Sequence, residues 1–444
     1  MNPDVDDISP QRIIDSRIAG FQSSWTYQMS DSSRISVSPS WRRWRLLVGR
    51  FRRIVRWEYW PTLPLYFPVI PVVLWQGIRY RSLGVISAVN PGIPSGGFVM
   101  HSKSHMLRAL EPSGLVATFE TIPGWLYPAQ KIVMLGEWLA KGRFEFPLVL
   151  KPDHGERGIG VSIVRTRREC VKYLSLARET TIVQTYIPGV EYGVFYERVP
   201  GEEKGRITGI THKATTRVTG DGRSTLERLI LADKRAVCQA EVFLELQKDR
   251  LDEIIPEGET VALNLIGTHS RGSLFLDACD ERTEEMEAAV DAASRVFEGF
   301  HFGRFDIRCP SLEALKRGED FHIVELNGVT SEPTHIYDPR HSVFYAWWKL
   351  AAQWARAYRI AGINRSLGHP PMGTAELFRR ILVSKGKSAK PAPVAKAEKH
   401  SAEHPWNHGI QNLRSAGNPV GQEHQRVDEN PSDHSRPQPA PRDS

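Results

Sequence analysis

Residues 302–328, FGRFDIRCPSLEALKRGEDFHIVELNG, constrain the fold of this chain more than any other stretch. Two short apolar segments flank a polar, glycine-containing connection. In GRFDIR, Arg304, Asp306 and Arg308 point one way, and Phe305 and Ile307 the other. In FHIVELN, Glu325 and Asn327 share one face, and Val324 and Leu326 the opposite one. A period of two reads as strand. Paired antiparallel, the two strands bring Asp306, Glu325 and Asn327 to one side of a sheet. Two carboxylates and a side-chain carbonyl, all oxygen, suit a hard cation such as Mg²⁺ beside a nucleotide phosphate. Arg304 faces the same cleft. The plainer alternative is a hairpin with a solvated polar face.

With 444 residues and a hydrophobic fraction of 41%, the chain can build a core spread over about two or three lobes. The net charge of +7 invites a nucleic-acid reading, but the arginines cluster at 42–56 (RRWRLLVGRFRRIVR). That pattern points to a local anionic surface, and no nucleic-acid fold motif accompanies it, so no nucleic-acid partner is expected. Cys170, Cys238, Cys279 and Cys309 lie far apart with no metal-ligand spacing, which fits a reducing compartment and a cytoplasmic location. The first thirty residues begin acidic and carry no signal-like apolar core.

In chain order, residues 1–40 read as a disordered tail. Residues 41–82 read as a basic and apolar segment. Its first part can lie as an amphipathic helix on a membrane surface, or against the protein body with its arginines in water. Its second part, 60–78, is the most apolar run. A spanning helix needs about 20 apolar residues, and Pro61, Pro64, Pro68 and Pro71 interrupt this one. An interfacial or re-entrant segment is expected rather than a clean span, on the inner face of a membrane.

Residues 83–110 predict an apolar strand, a Gly/Pro turn and a helix capped by Ser102 with Lys103 in its first turn. At 144–166, FEFPLVLKPDHGERGIGVSIVRT, a strand ends at Lys151-Pro152, a Gly-rich turn follows, and then a second strand. Glycines let backbone N–H groups approach phosphate oxygens. This is neither a Walker loop nor a dinucleotide fingerprint, because a strand follows instead of a helix. Thr166-x-x-Glu169 opens a helix. Strand TIVQTYIPGVEYGVFY breaks at Pro188-Gly189. Ser224-x-x-Glu227 caps a helix after the turn at Gly220-Asp221-Gly222. Residues 264–299 give a strand, a polar loop and a helix whose first turn is acidic and which ends at Gly299. The apolar helix 343–361 is core, and residues 363–444, rich in Lys, Ala, Pro, His and Ser, read as a second disordered tail.

GRFDIR followed by VELNG resembles the metal-binding strand pair of the ATP-grasp ligases, as in the D-alanine–D-alanine ligase branch. FPLVLKP with its Gly-rich turn resembles the phosphate hairpin of that family. TGDGRSTLERLI resembles a segment of the cyanophycin synthetase and bifunctional glutathione synthetase branches. The resemblance covers about residues 100–360. It implies an α+β ATP-grasp fold with two lobes enclosing the nucleotide: an N-terminal α/β region at 83–143, a small lobe at 144–188 and a large lobe at 189–362.

For the site, it implies ATP contacts from Lys103, Lys151, Gly155, Gly158, Gly160, Gln184, Thr185, Ile187, Glu191 and Lys213. Backbone groups near Thr185 and Ile187 would meet the adenine edge, and Glu191 the ribose hydroxyls. Asp306, Glu325 and Asn327 would hold Mg²⁺. Arg304 and Lys151 would be catalytic, and Arg271 and Ser331 would border the substrate. The implied reaction joins a small-molecule carboxylate to an amine through an acylphosphate, using ATP and Mg²⁺. A membrane-surface ATP-binding regulator without ligase activity is the alternative. The two substrates and the oligomeric state are not legible.

Overall fold

The computed structural model describes residue 35 and residues 37–98, 102–155, 158–264, 267 and 272–388. The architecture is α+β, built on antiparallel sheets, as the resemblance implies.

Among the described residues three helices come first: α1 (Pro39–Val55), α2 (Thr62–Tyr66) and α3 (Ile70–Arg79). Ser38 caps α1 by accepting from the Trp41 N–H. The apolar run 60–78 forms the two short helices α2 and α3, with Pro68 between them and Pro71 in the first turn of α3, where its missing N–H costs nothing. No helix among the described residues is long and apolar enough to cross a membrane.

Residues Leu83–Ala88 form a buried 3-10 segment, where a strand is expected. An apolar run gives no periodicity with which to tell strand from helix, and this one packs on a helix instead of pairing in a sheet. α4 (Lys103–Leu110) follows, capped as expected by Ser102, whose Oγ accepts from the His105 N–H at 3.0 Å.

The smaller sheet contains β1 (Phe119–Ile122), β2 (Leu148–Pro152), β3 (Ser162–Val164) and β4 (Thr181–Thr185) in the order β1-β4-β2-β3. α5 (Pro128–Ala140) and α6 (Arg167–Leu176) pack on it through Leu135, Cys170 and Leu174. This lobe therefore begins at β1, earlier than the expected 144, because an edge strand distant in sequence completes it.

The larger sheet contains β5 (Val190–Glu197), β6 (Arg206–Ala214), β9 (Leu274–Asp277), β10 (Phe302–Cys309) and β11 (His322–Asn327), in the order β11-β10-β5-β6-β9. The chain crosses between the sheets at Pro188-Gly189, where the sequence breaks. Between β6 and β9, strands β7 (Arg217–Thr219) and β8 (Thr260–Ala262) pair with each other. Helices α7 (Leu226–Ala232) and α8 (Ala240–Leu246) lie in the same stretch. The cap of α7 is Thr225, one residue later than expected, because Asp221 engages both the backbone and the hydroxyl of Ser224.

One face of the larger sheet is apolar. Tyr192, Val194, Phe305, Ile307, Ile323 and Leu326 pack there against α9 (Glu284–Arg295) through Met286, Val290 and Ala293. At about 25 cal/mol per Å² of apolar surface, this alternation fixes which face is left for chemistry. The crossing helix α11 (Val343–Ser366), which follows the short α10 (Leu312–Lys316), collects the N-terminal elements. Leu65 and Val69 meet Ala346 and Leu350, and Val85, Ile86 and Val89 meet Ala357, Tyr358 and Ala361.

The expected tail from 363 starts too early. α11 runs to Ser366 and α12 (Thr374–Ser388) follows, with Leu377 buried beside Tyr358. A few apolar anchors, Met372, Leu377 and Ile381, inside a polar stretch escape composition. α1 takes the body-packed position: Trp41 and Leu46 join the core of α7 and α8. A Cβ at Gly49 would lie 2.1 Å from the Val237 carbonyl oxygen, so only glycine permits this approach.

Candidate active site

β10 and β11 pair antiparallel with Asp306 opposite Glu325 and Arg304 opposite Asn327, and an irregularity follows Asp306. The four side chains therefore share the polar face of the sheet. Asp306 is buried. Its Oδ1 accepts from Arg304 Nε at 2.8 Å, its Oδ2 faces Lys213 Nζ at 2.9 Å, and Asn327 Nδ2 donates to Oδ2 at 3.5 Å. Burial alone would raise the Asp306 carboxyl. Arg304 and Lys213 outweigh it and hold the group down at about 2. Burial pulls Lys213 down, but Asp306 and Glu191 push harder and leave it raised. Lys213 Nζ also bonds Glu191 Oε1 at 2.8 Å.

Lys151, at the end of β2 in the other sheet, reaches across. Its Nζ donates to Gln184 Oε1 and to the Val324 carbonyl, both at 2.8 Å. Val324 precedes Glu325, so the lysine of the small lobe ends beside the carboxylates of the large one. Burial lowers Lys151 to about 8, against the opposing pull of Glu325. Gln184 is buried and orients this lysine. Lys103 hydrogen-bonds the Gly155 carbonyl and lies 3.9 Å from Glu325 Oε1. Asp153 fastens the loop to α4: its Oδ1 accepts from Ser102 Oγ at 3.1 Å and from the Ser104 N–H at 2.8 Å.

Gly155, Gly158 and Gly160 all have positive φ, between 71° and 143°. The turn between β2 and β3 thus uses backbone conformations that side chains resist. The Thr185 N–H donates to the Thr118 carbonyl at 2.9 Å, which ties it to the neighbouring strand end. Ile187 offers its carbonyl to Arg308 Nε at 2.6 Å. Ser331 is buried, and its hydroxyl donates to the Gly328 carbonyl, which makes it part of the loop wall. Arg271 lies outside the described residues, together with His269 and Ser270.

Some contributors carry weak local signals. Arg308 binds the carbonyls of Ile187 and Gly189 and Glu191 Oε2 at 3.2 Å, and stacks on Tyr186. It clamps the crossing between lobes; alternation placed it on this face but gave no role. Tyr66, from the apolar run 60–78, donates to Glu332 Oε1 at 2.7 Å, and Tyr337 donates to Oε2. Asn90 is buried and fully bonded: it accepts from the N–H groups of His301 and Phe302 and donates to the carbonyls of Gly96 and Phe302. A Cβ at Gly97 would lie 2.7 Å from Gly328 Cα. The turn at 90–97 therefore seats against both ends of the β10–β11 hairpin, which local sequence cannot show.

The assembled cleft sets Lys103, Lys151, Lys213, Arg304 and Arg308 against Glu191, Asp306 and Glu325. The excess of cations suits a polyanion, and the carboxylates of Asp306 and Glu325 stand on facing positions of β10 and β11.

No protein-family model matches the sequence. The chain is 25% identical over 213 residues to a cyanophycin synthetase of Synechocystis sp., covering 43% of this chain and 24% of that protein. It is 25% identical over 287 residues to a cyanophycin synthetase of Nostoc sp., covering 60% and 30%. The match thus spans less than a third of the length of these relatives. Among solved structures it is similar to a bifunctional glutathione synthetase from Pasteurella multocida, with 18% identity, a TM-score of 0.32, and 57% of this chain and 38% of that one covered. It is also similar to a D-alanine–D-alanine ligase from Bacillus anthracis, with 14% identity, a TM-score of 0.37, and 62% and 70% covered.

Proposed function

We propose that this chain is an ATP-dependent carboxylate–amine ligase of the ATP-grasp type. The observation that carries the reading is the contact of Lys151 with the Val324 carbonyl. It brings a phosphate-type lysine and Gly-rich turn against a carboxylate pair suited to a metal, from two separate sheets. Lys103, Lys151 and Lys213 would neutralise the triphosphate. Asp306, Glu325 and Asn327 would hold Mg²⁺, which supplies charge neutralisation to the phosphates when bound.

In the first step a carboxylate oxygen of the substrate attacks the γ-phosphorus, forming the acylphosphate and releasing ADP. In the second an amine nitrogen attacks the acyl carbon, inorganic phosphate leaves, and the amine proton passes to solvent. The side chains position and neutralise rather than bond covalently. Arg304, braced by Asp306 and the Glu332 carbonyl, would stabilise the transferring phosphoryl group and the tetrahedral centre. Ser331 belongs to a loop that would border the substrate. Incubation with ATP, Mg²⁺ and pooled amino acids should release ADP and yield an amide-linked product by mass spectrometry. ATP binding without turnover on any pool favours the regulator instead.

The N-terminal helices support docking on an anionic membrane surface. Residues 39–82 contain nine arginines and one acidic residue, Glu58. On α1, Trp44, Leu47, Phe51 and Ile54 are exposed at helical spacing, on the side away from the packed Trp41 and Leu46. Phe67, Leu74 and Ile78 of the α2–α3 segment are exposed too. Arg42, Arg45, Arg50 and Arg52 turn to the protein body, on Glu227, the Leu231 and Ala232 carbonyls, Glu241 and the Lys234 carbonyl, so the apolar face would enter the lipid while the net positive charge of the segment favours acidic head groups. The protein should cosediment with vesicles of anionic phospholipid, less so at high salt, and not with purely zwitterionic vesicles. Equal recovery in the supernatant with both would end this reading.

A further inference from the structure

A second cluster of ligand-type side chains lies on the polar face of the larger sheet. Asp277 ends β9, Cys279 follows it, and His335 comes from the loop after β11. Their ligand atoms all lie within 4.8 Å of one another. Asp277 pairs with Thr211 on β6, and a Cβ on Gly209 would come within 2.6 Å of His335 Nδ1. The imidazole therefore occupies space that a glycine leaves open. Asp277 lies opposite Thr211, two residues along β6 from Lys213, so the cluster sits one strand over and roughly 7 Å along the sheet from the nearest lysine of the nucleotide cleft.

The decisive feature is His335. It is fully buried, and neither ring nitrogen has a hydrogen-bond partner. A buried polar group without a partner is costly and rare. Its neighbours are already engaged. Asp277 Oδ1 accepts from the Cys279 N–H at 2.9 Å, and Oδ2 meets His341 Nε2 at 2.7 Å. Cys279 Sγ accepts from the Ile210 N–H at 3.3 Å. An orphaned imidazole, a thiol and a carboxylate in one spot are the donor set of a borderline-soft ion.

We propose that Asp277, Cys279 and His335 bind Zn²⁺ at a site separate from the nucleotide cleft. Zinc takes nitrogen, sulfur and oxygen donors in tetrahedral geometry at about 2.0–2.3 Å. Those lengths set ligand atoms about 3.3–3.8 Å apart, so the three side chains close by at most about 1.5 Å. On binding, Cys279 loses its thiol proton to solvent and a sulfur–zinc bond forms. His341, already on the Asp277 carboxylate, orients that ligand. Asp277 and Cys279 are only partly buried, which gives the ion a way in. The ion would join β9 to the segment from 335 onward, beside the loop that carries Glu332.

The test uses the untagged full chain, loaded with Zn²⁺ or Co²⁺ and dialysed. The protein should retain about one zinc more per chain than Cys279→Ser or His335→Gln. With Co²⁺ it should show tetrahedral ligand-field absorption and a thiolate charge-transfer band, and Cys279→Ser should lose that band. Asp306→Asn should keep both zinc and band, which separates this site from the nucleotide metal. Zinc should raise the melting temperature of the native chain and not of the variants. Equal zinc in the native chain and Cys279→Ser, or no thiolate band with Co²⁺, would overturn the proposal. Should His335→Gln fail to fold, the near-isosteric Cys279→Ser and its cobalt spectrum decide alone.

Discussion

Two polar clusters share one face of the five-stranded sheet, and they are built in opposite ways. Around Asp306 the charges are cross-connected: Arg304, Lys213 and Glu191 each touch an opposite charge, and Arg308 reaches Glu191. Around Asp277 the acid and thiol are satisfied, while His335 at the centre has no hydrogen bond. The first network holds its shape by internal pairing and can exchange those partners for a charged ligand. The second cluster lacks the partner that would complete it. Removing a member of the first strands buried charge; removing His335 strands nothing.

The contrast sets the order of expected effects. Asp306→Ala should lower magnesium-dependent ADP release by about a hundredfold or more. It should also destabilise the fold by about 3–5 kcal/mol, since Arg304 and Lys213 lose their shared carboxylate in a buried place. Chemical denaturation and an ADP assay read the two effects, and Asp306→Asn should keep more of the stability than of the activity. An alanine variant with normal turnover would remove Asp306 from the metal site.

Lys151→Met keeps the apolar stem and deletes the charge. Binding of ATP, followed by calorimetry, should weaken by about a hundredfold, in line with about 2–5 kcal/mol for truncating a buried charged partner. Wild-type affinity would mean that Lys151 only staples the lobes together. Arg308→Met should raise the KM for ATP by about tenfold with a smaller change in kcat, because the clamp on Ile187 and Gly189 loosens while the β10–β11 pair stays.

Tyr66→Phe should cost about 1–2 kcal/mol in stability and raise the KM of a substrate rather than of ATP, since Glu332 loses one of its two tyrosine donors. The smallest effect belongs to the second cluster. In metal-free protein, His335→Leu should shift stability by less than about 1.5 kcal/mol, because an apolar side chain of similar volume replaces one without hydrogen bonds. A larger loss would show that His335 contributes to the apo fold, and would blur the contrast between the clusters.

Legibility in the sequence followed range. The alternation of 302–308, the Ser102 and Thr166 caps and the break at Pro188-Gly189 are local, and each appears where it was read, whereas in 322–327 the irregularity after Asp306 puts Ile323 in the core with Leu326 in place of the expected Val324. The bracing by Tyr66, Asn90 and Gln184 depends on partners far away in sequence. No window of neighbouring residues contains that information. The 83–88 strand fails for a related reason: a run buried on all sides carries no period.

The sequence alone determined which residues could share a face, because side-chain direction alternates along a strand, and which glycines could line a turn, because only they accept its backbone angles readily. Tertiary structure decided which faces meet. It brought Lys151 from one sheet to Val324 of another, turned the apolar run 60–78 into a wall behind Glu332, and enclosed His335 beside Asp277. Those outcomes depend on how lobes and helices bury one another's apolar surface, a sum over the whole chain that no single segment encodes.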